Sequence, residues 1–484
     1  MREAGWGRLG KDTVESTYIS PDIRWLAGGK LAGPTFWPRL ARGDVFRENA
    51  AEFMRTNAER YGDLVSFRAL GRTVVQFNHP ELVQEMLVRD ASHHHRNLVM
   101  QRSKDILGEG LLTSEEPLHM RQRRLAQPAF HRQRISAYGE VIAQATTTMT
   151  GRWTSGAVLD VRAEMMLLAL RIVGKTLFDT ELEQDVEKIA AAADAFQSFL
   201  PLAWLPLSRV LQASPLPSMR RIRRGREELD ELIYRMIRER RADPRDRGDL
   251  LSMLISSVDT EGEEAGGAGA SMSDTQVRDE CLTVMLAGHE TTANALSFVL
   301  WLLAEHPEIQ EELAAESGRV LGGRAPGAAD YPALKFAEQV FAEGLRLYPP
   351  VWVTARTAAE SYAYRGMTIE RGSILVAPQF AVHRDARFYA EPLRFDPSRF
   401  TAEAKAGRPK MAYFPFGAGS RQCIGEGLAW MEGTLCLAAM MQEWRVVRLE
   451  GAARSIAMAP SVTLRPKGPV RLRVERRERA STRA

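Results

Sequence analysis

The sequence predicts a mainly α-helical fold carrying a small β lobe, on three observations. Helical patterning dominates from about residue 117 to 350. Extended patterning is concentrated early, in Leu64-Val65-Ser66-Phe67-Arg68-Ala69-Leu70-Gly71-Arg72-Thr73-Val74-Val75-Gln76-Phe77, where Gly71-Arg72 reads as a hairpin turn. No internal repeat and no flavin, iron–sulfur or dinucleotide segment is appended; Gly322-Gly323-Arg324 lacks the spacing of a dinucleotide fingerprint.

Taken in order, the β lobe is expected mainly over about 20–80 and 350–385, and the helical part over about 85–348 and 423–445. At 484 residues, length alone suggests three domains, and one large, mostly helical fold is equally allowed. Helices are expected at 134–151, at 158–178, at an arginine-rich 217–241 and at 273–304, the last opened by the capping box Ser273-Asp274-Thr275-Gln276. Phe199-Leu200-Pro201-Leu202-Ala203-Trp204-Leu205-Pro206-Leu207, followed by Pro215-Leu216-Pro217, is apolar and broken by prolines, which suits a lid better than a regular helix. Glu261–Ala270, with four glycines, is an internal linker. A further helix begins near Asp330-Tyr331-Pro332 and carries Glu343-Gly344-Leu345-Arg346.

Composition sets class. Hydrophobic content of 45% with 26% charged residues is ordinary for a soluble globular protein, and 484 residues are enough to enclose a large group. Net charge is +4, with arginine concentrated in 471–479 and in the 220–241 helix. No nucleic-acid motif and no aromatic-interleaved basic strip accompanies it, so nucleic-acid binding is set aside, and the arginine runs read as solvated faces or as a docking face for an acidic partner. The N-terminal segment has neither a signal-like apolar core nor a run of about 20 apolar residues, so no transmembrane anchor and a cytoplasmic location are expected.

Three cysteines, Cys281, Cys423 and Cys436, give no disulfide framework and point to a reducing compartment. Cys281 and Cys436 sit in apolar helical runs and read as small core residues. His93-His94-His95 does not converge on one ion, because successive side chains on a strand or helix diverge.

Cys423 has a different setting. Phe416-Gly417-Ala418-Gly419-Ser420-Arg421-Gln422-Cys423-Ile424-Gly425 places one thiol between an aromatic and a helix start, with three glycines that permit a tight turn. Amides turned toward the sulfur, and the N-terminus of the following helix, favour a thiolate bound to a metal. In the long helix, Ala287-Gly288-His289-Glu290-Thr291-Thr292 interrupts an apolar run with residues that weaken a helix. A threonine there can bond back to a carbonyl one turn earlier and open the helix locally. Glu343 and Arg346 stand at i and i+3 on one helix face.

The ten residues 416–425 match, at every fixed position, the heme-binding signature of the cytochrome P450 superfamily, and the chain resembles a soluble, bacterial-type heme-thiolate monooxygenase. The resemblance implies a single domain over residues 1–484 with a triangular-prism, mainly α fold, and heme b buried between the 273–304 helix and the Cys423 loop. Cys423 would ligate the iron, with Phe416, Gly417, Arg421 and Gly425 around it and Ala287 and Gly288 on the opposite face. Glu290 and Thr291 would relay protons, and His289 takes no ligand role. Glu343, Arg346 and Arg399 would form a structural triad that locks the cysteine loop. The heme propionates would fall to His119, Arg123, Arg356 and Arg421; His383 also fits the pattern.

The implied reaction inserts one oxygen atom from O2 into a hydrophobic small molecule, a fatty acid, terpene, steroid or polyketide. Electrons would come from NAD(P)H through a ferredoxin or flavodoxin with its reductase. A peroxide-driven peroxygenase and a non-catalytic heme sensor are rival readings, and the Glu290-Thr291 pair argues against both. Gly344 departs from the more usual residue of the pattern. Pocket walls are expected from Gln101–Leu112, the 199–217 lid, Val284, Met285 and Ala287, Trp352-Val353-Thr354, and Ala459-Pro460-Ser461-Val462.

Overall fold

A computed structural model describes residues 20–478 apart from 27–29, 35–43, 70, 181, 183–184, 186–187, 190–213, 244 and 258–270. The expected lid over 199–207, the glycine linker 261–270 and the N-terminal segment 1–19 therefore lie outside the described residues.

The long helix Asp274–Glu305 organises the molecule. Ser273 accepts the Gln276 amide at 3.2 Å and its own amide donates to Gln276 Oε1 at 3.0 Å, so the capping box closes as expected. Beyond its first turn the helix is buried nearly all round, as a helix through the middle of a protein must be. Helix Val161–Phe178 packs along it, and at Gly288 a Cβ would come 3.0 Å from Val173 Cγ2.

Helix Lys335–Leu347 crosses the long helix at Gly344, where a Cβ would lie 2.2 Å from Val299 Cγ2. That close approach accounts for the glycine. Gly344→Ala gains about 1 kcal/mol of helix propensity, but overpacking against the fully buried Val299 costs about 1–3 kcal/mol. A net loss of stability is expected in denaturant titration; a gain would mean that the two helices part freely.

The remaining helices differ from the expected limits by a few residues. They are Arg132–Thr150, Pro217–Ala242 and, opening with Pro332 in a short 3-10 turn, Lys335–Leu347. The expected helix from 158 begins at Val161, because Val158–Asp160 is a strand paired with Arg471–Arg473. Helix Asp44–Tyr61 falls inside the span assigned to the β lobe.

The main sheet has five strands in the order Leu64–Ala69, Arg72–Phe77, Ile374–Ala377, Thr354–Ala358, His94–Arg96. Only Arg72–Phe77 and Ile374–Ala377 run parallel. The 64–77 hairpin forms as read, with Gly71 at φ +79° in its turn. The edge pairing sets Arg96 directly opposite Arg356. C-terminal strands at 444–448, 458–460, 464–466 and 471–476 extend the β structure beyond the expected spans.

Candidate active site

A cavity of about 340 Å³ lies between the long helix and the cysteine loop. It is lined by all ten residues expected to hold a cofactor: His119, Arg123, Ala287, Gly288, Arg356, Phe416, Gly417, Arg421, Cys423 and Gly425, and by Thr291. The rest of the wall is mostly apolar, with Leu111, Leu112, Val284, Ala295 and Val351 among its residues.

The cysteine loop is built from its backbone. Gly417 and Gly419 both adopt φ +73°, and a Cβ on Gly419 would lie 2.5 Å from the Leu87 carbonyl, so only glycine fits there. Gly425 has an ordinary φ of −87°. It serves instead as the N-cap of helix Glu426–Glu443, and a Cβ there would lie 4.0 Å from the sulfur. The Cys423 amide donates to the Phe416 carbonyl at 2.9 Å, which closes the loop. Phe416 packs on Trp430 with ring centroids 5.5 Å apart. Cys423 is exposed to the cavity, while its sulfur is enclosed by protein and desolvation pushes the thiol up to about 11; the Gly425 amide opposes this and Glu426 adds to it. A bound metal cation reverses that balance and favours the thiolate.

Cations gather at one edge of the cavity. Arg356 is buried and held down to about 10, mainly by desolvation and then by Arg421, with Glu115 opposing. Arg421 is lowered by burial and bonds the Ser114 carbonyl at 2.7 Å and Glu115 Oε2 at 3.2 Å. Arg123 donates to the Gln422 carbonyl at 2.7 Å. To these the structure adds Arg96, which sequence reasoning missed. It lines the cavity, its Nε has no hydrogen-bond partner among the described residues, and burial with Arg356 and Arg421 pulls its pKa well below the usual value. Nothing in the sequence brings Arg96 beside Arg356; only strand pairing does.

Buried guanidiniums that repel one another call for anions, and the two propionates of heme b meet that need. A cavity with a sulfur on one face, this cationic edge and apolar walls elsewhere fits heme b. His119 fits with a condition. Its Nδ1 meets Glu116 Oε1 at 2.9 Å, and burial with Arg421 holds the ring down to about 4, against Glu116, so the ring is neutral. With Nδ1–H given to Glu116, Nε2 donates to a carboxylate only as imidazolium, a form that a nearby anion favours.

On the long helix, Thr291 Oγ1 donates to the Ala287 carbonyl at 2.8 Å, the expected back-bond. The expected local opening is not present, since α-helical structure continues through 274–305 and accommodates that bond. His289 is buried, bonded through Nδ1 to the Met285 carbonyl at 2.8 Å, in keeping with no ligand role. Glu290 does not line the cavity; its Oε1 accepts the Thr463 hydroxyl at 2.8 Å. It points about 100° around the helix from Thr291. Glu432, also missed, does line the cavity, and desolvation pushes it up to about 8, so it is neutral at pH 7.

Glu343, Arg346 and Arg399 assemble. Arg346 donates to both Glu343 oxygens, at 2.6 and 2.7 Å, with both side chains inaccessible to solvent. Arg399 Nε stands 3.5 Å from Glu343. Arg346 also donates to the carbonyls of His383, Pro392 and Arg394. His383 accepts the Phe414 amide on Nε2 at 2.9 Å and does not reach the cavity, so it joins the triad to the start of the cysteine loop rather than meeting a propionate.

Some expected wall residues are elsewhere. Met285 is fully buried in the core, Trp352 donates to the Ser461 carbonyl, and Val353 and 459–462 do not line the cavity, because the turn there presents Pro350, Val351 and Thr354.

Comparison with known proteins agrees with this geometry. Residues 28–473 match the family model described as cytochrome P450. Cyclooctatin synthase of Streptomyces melanosporofaciens is 38% identical over 85% of this chain and 88% of its own. Pentalenene oxygenase of Streptomyces avermitilis is 34% identical over 82% of this chain and 88% of its own. Cyclooctat-9-en-7-ol 5-monooxygenase of Streptomyces melanosporofaciens is 32% identical over 93% and 95%. The crystal structure of cytochrome P450DA heme domain superposes with a TM-score of 0.80 at 26% identity, covering 92% of this chain and 98% of that one. The chain belongs to the cytochrome P450 family and is a heme b-dependent monooxygenase of hydrophobic substrates, fed with electrons from NAD(P)H through a redox partner.

Proposed function

We propose that this enzyme oxygenates a terpene, within a single catalytic domain spanning the chain and located in the cytoplasm. The observation that carries the reading is an apolar cavity with the Cys423 sulfur on one face and the Ala287–Thr291 turn on another. Relatives named for oxygenation of pentalenene and of cyclooctat-9-en-7-ol support the substrate class, and no described helix is long and apolar enough to cross a membrane.

Bound heme supplies the iron at which dioxygen is activated. Cys423 is the thiolate ligand, tuned by the Gly425 amide and the helix that follows. Arg96, Arg356, Arg421, Arg123 and His119 take the propionates, while Leu428 and Ala429 border the apolar part of the same cavity. Thr291, on the cavity wall, holds its hydroxyl proton on the Ala287 carbonyl, from which it can be turned to a bound group, while Glu290, behind it on the helix, accepts the Thr463 hydroxyl. The apolar wall orients the substrate and excludes water.

A ferredoxin or flavodoxin with its reductase is the proposed electron donor. On the C-terminal strand Arg471–Arg476 and the strand 444–448 beside it, Arg476 pairs with Glu443, Arg445 and Arg477 with Glu311, and Arg448 with Glu305, while Arg471 and Arg473 carry no ion pair among the described residues and leave positive charge for an acidic donor. The substrate proposal is tested by adding cyclic terpene hydrocarbons and terpene alcohols to the ferric holoprotein and following the Soret band. A spin-state shift on terpenes at concentrations where saturated fatty acids give none is expected; the reverse preference would overturn it.

A further inference from the structure

The turn between helices Leu98–Leu107 and Leu118–Ala126 delivers Leu111 and Leu112 to the cavity wall. Two neighbouring acids on the long helix hold it there. Asp279 Oδ2 accepts the Glu109 amide at 2.8 Å, and Glu280 Oε2 accepts the Leu111 amide at 3.0 Å. From the other side, Gln122 Nε2 donates to the Glu109 carbonyl at 2.5 Å. The turn is pressed onto the helix so closely that a Cβ on Gly108 would lie 2.1 Å from the Asp279 carboxyl. One on Gly110 would lie 2.3 Å from Thr283 Oγ1 and 2.6 Å from the Asp279 carbonyl.

The two acids are held differently. Arg278 balances Asp279 at 2.7 Å and donates to Asp230, on helix Pro217–Ala242, at 2.6 Å. Glu280 is fully buried, and its Oε1 has no hydrogen-bond partner among the described residues. Burial, opposed by the Leu111 amide and aided by Asp279, pushes it up to about 8, and a neutral acid still accepts that amide through its carbonyl oxygen. Neither carboxyl lines the cavity.

We propose that Asp279 and Glu280 are positioning residues that fix where Leu111 and Leu112 stand in the wall, and so set the size and shape of the molecule the cavity accepts. The inference rests on that cavity being the place where heme and substrate bind. The link is the backbone: a turn that slips by one residue leaves the buried Leu111 amide unsatisfied.

The test uses the ferric holoenzyme with two probes that bind heme iron through nitrogen, imidazole and 4-phenylimidazole, read by their Soret shifts. Bare imidazole is too small to sense the wall, whereas the phenyl ring extends toward it. Asp279→Ala and Glu280→Ala are expected to weaken 4-phenylimidazole about tenfold and leave imidazole unchanged. Glu280→Gln, which keeps an oxygen acceptor, should bind both probes as the unmodified enzyme does. Gly110→Ala lifts the turn without altering either acid and should reproduce the alanine pattern, which keeps the test decisive if an alanine variant fails to fold. Leu111→Ala should weaken 4-phenylimidazole alone, and adding Glu280→Ala to it should change little more. Equal weakening of both probes, unchanged binding in Gly110→Ala, or Glu280→Gln behaving as Glu280→Ala would overturn the proposal. An unmodified protein whose reduced carbon monoxide spectrum lacks the thiolate signature would instead overturn the heme reading, and this inference with it.

Discussion

Glu343→Ala is expected to leave almost no folded holoprotein. The Arg346 guanidinium, with no solvent access, loses both bonds to its carboxylate partner and keeps only backbone carbonyls and the face of Tyr389, 4.8 Å away. Removing one partner of a buried ion pair costs about 3–5 kcal/mol, against a total stability of about 5–15 kcal/mol. Glu343 also accepts the Asp396 amide at 2.9 Å, so the segment that carries Arg399 loosens as well. Through His383 and Phe414 the damage reaches the cysteine loop. Heme content after purification and the thermal unfolding midpoint measure the effect. A variant that retains heme and unfolds at the unmodified temperature would show that the triad does not hold the loop.

Thr291→Ala should keep the fold and the heme spectrum but cut product formed per electron consumed. Among the described residues the hydroxyl bonds only its own helix, at Ala287, and alanine is the better helix former by about 0.5 kcal/mol. Loss of a positioned proton donor costs about 10²–10⁴ in the step it serves, so electrons are diverted to reduced oxygen species. NADH oxidation, hydrogen peroxide and product, measured together, give the coupling ratio. Thr291→Ser, which retains the hydroxyl, should restore much of it; unchanged coupling in Thr291→Ala removes the assigned role.

Much of this site was legible because its chemistry is local. The cysteine loop, the hexad 287–292 and the Glu343/Arg346 pair each announce themselves within ten residues, and every cofactor residue read from such contexts lines the cavity. The capping box placed the start of the long helix correctly. What failed to show depends on distance along the chain. Arg96 becomes part of the site only through a strand pairing that brings it opposite Arg356, and the paired amides of Glu109 and Leu111 meet acids 170 and 169 residues away. The C-terminal strands are three to six residues long, too short for alternation to stand out. Gly344 read as a mild weakness in a helix, and its reason, the Val299 side chain, is visible only once the two helices cross.

The reduced, carbon monoxide-bound absorption spectrum of the purified protein, beside that of Cys423→Ser, tests the central claim most directly. A strongly red-shifted Soret band in the unmodified protein, absent in the variant, is the predicted result, because only thiolate ligation by Cys423 produces it and removing the sulfur removes it. Heme that binds without that band, or a band that survives Cys423→Ser, would contradict the assignment of Cys423 as the iron ligand and the monooxygenase mechanism built on it.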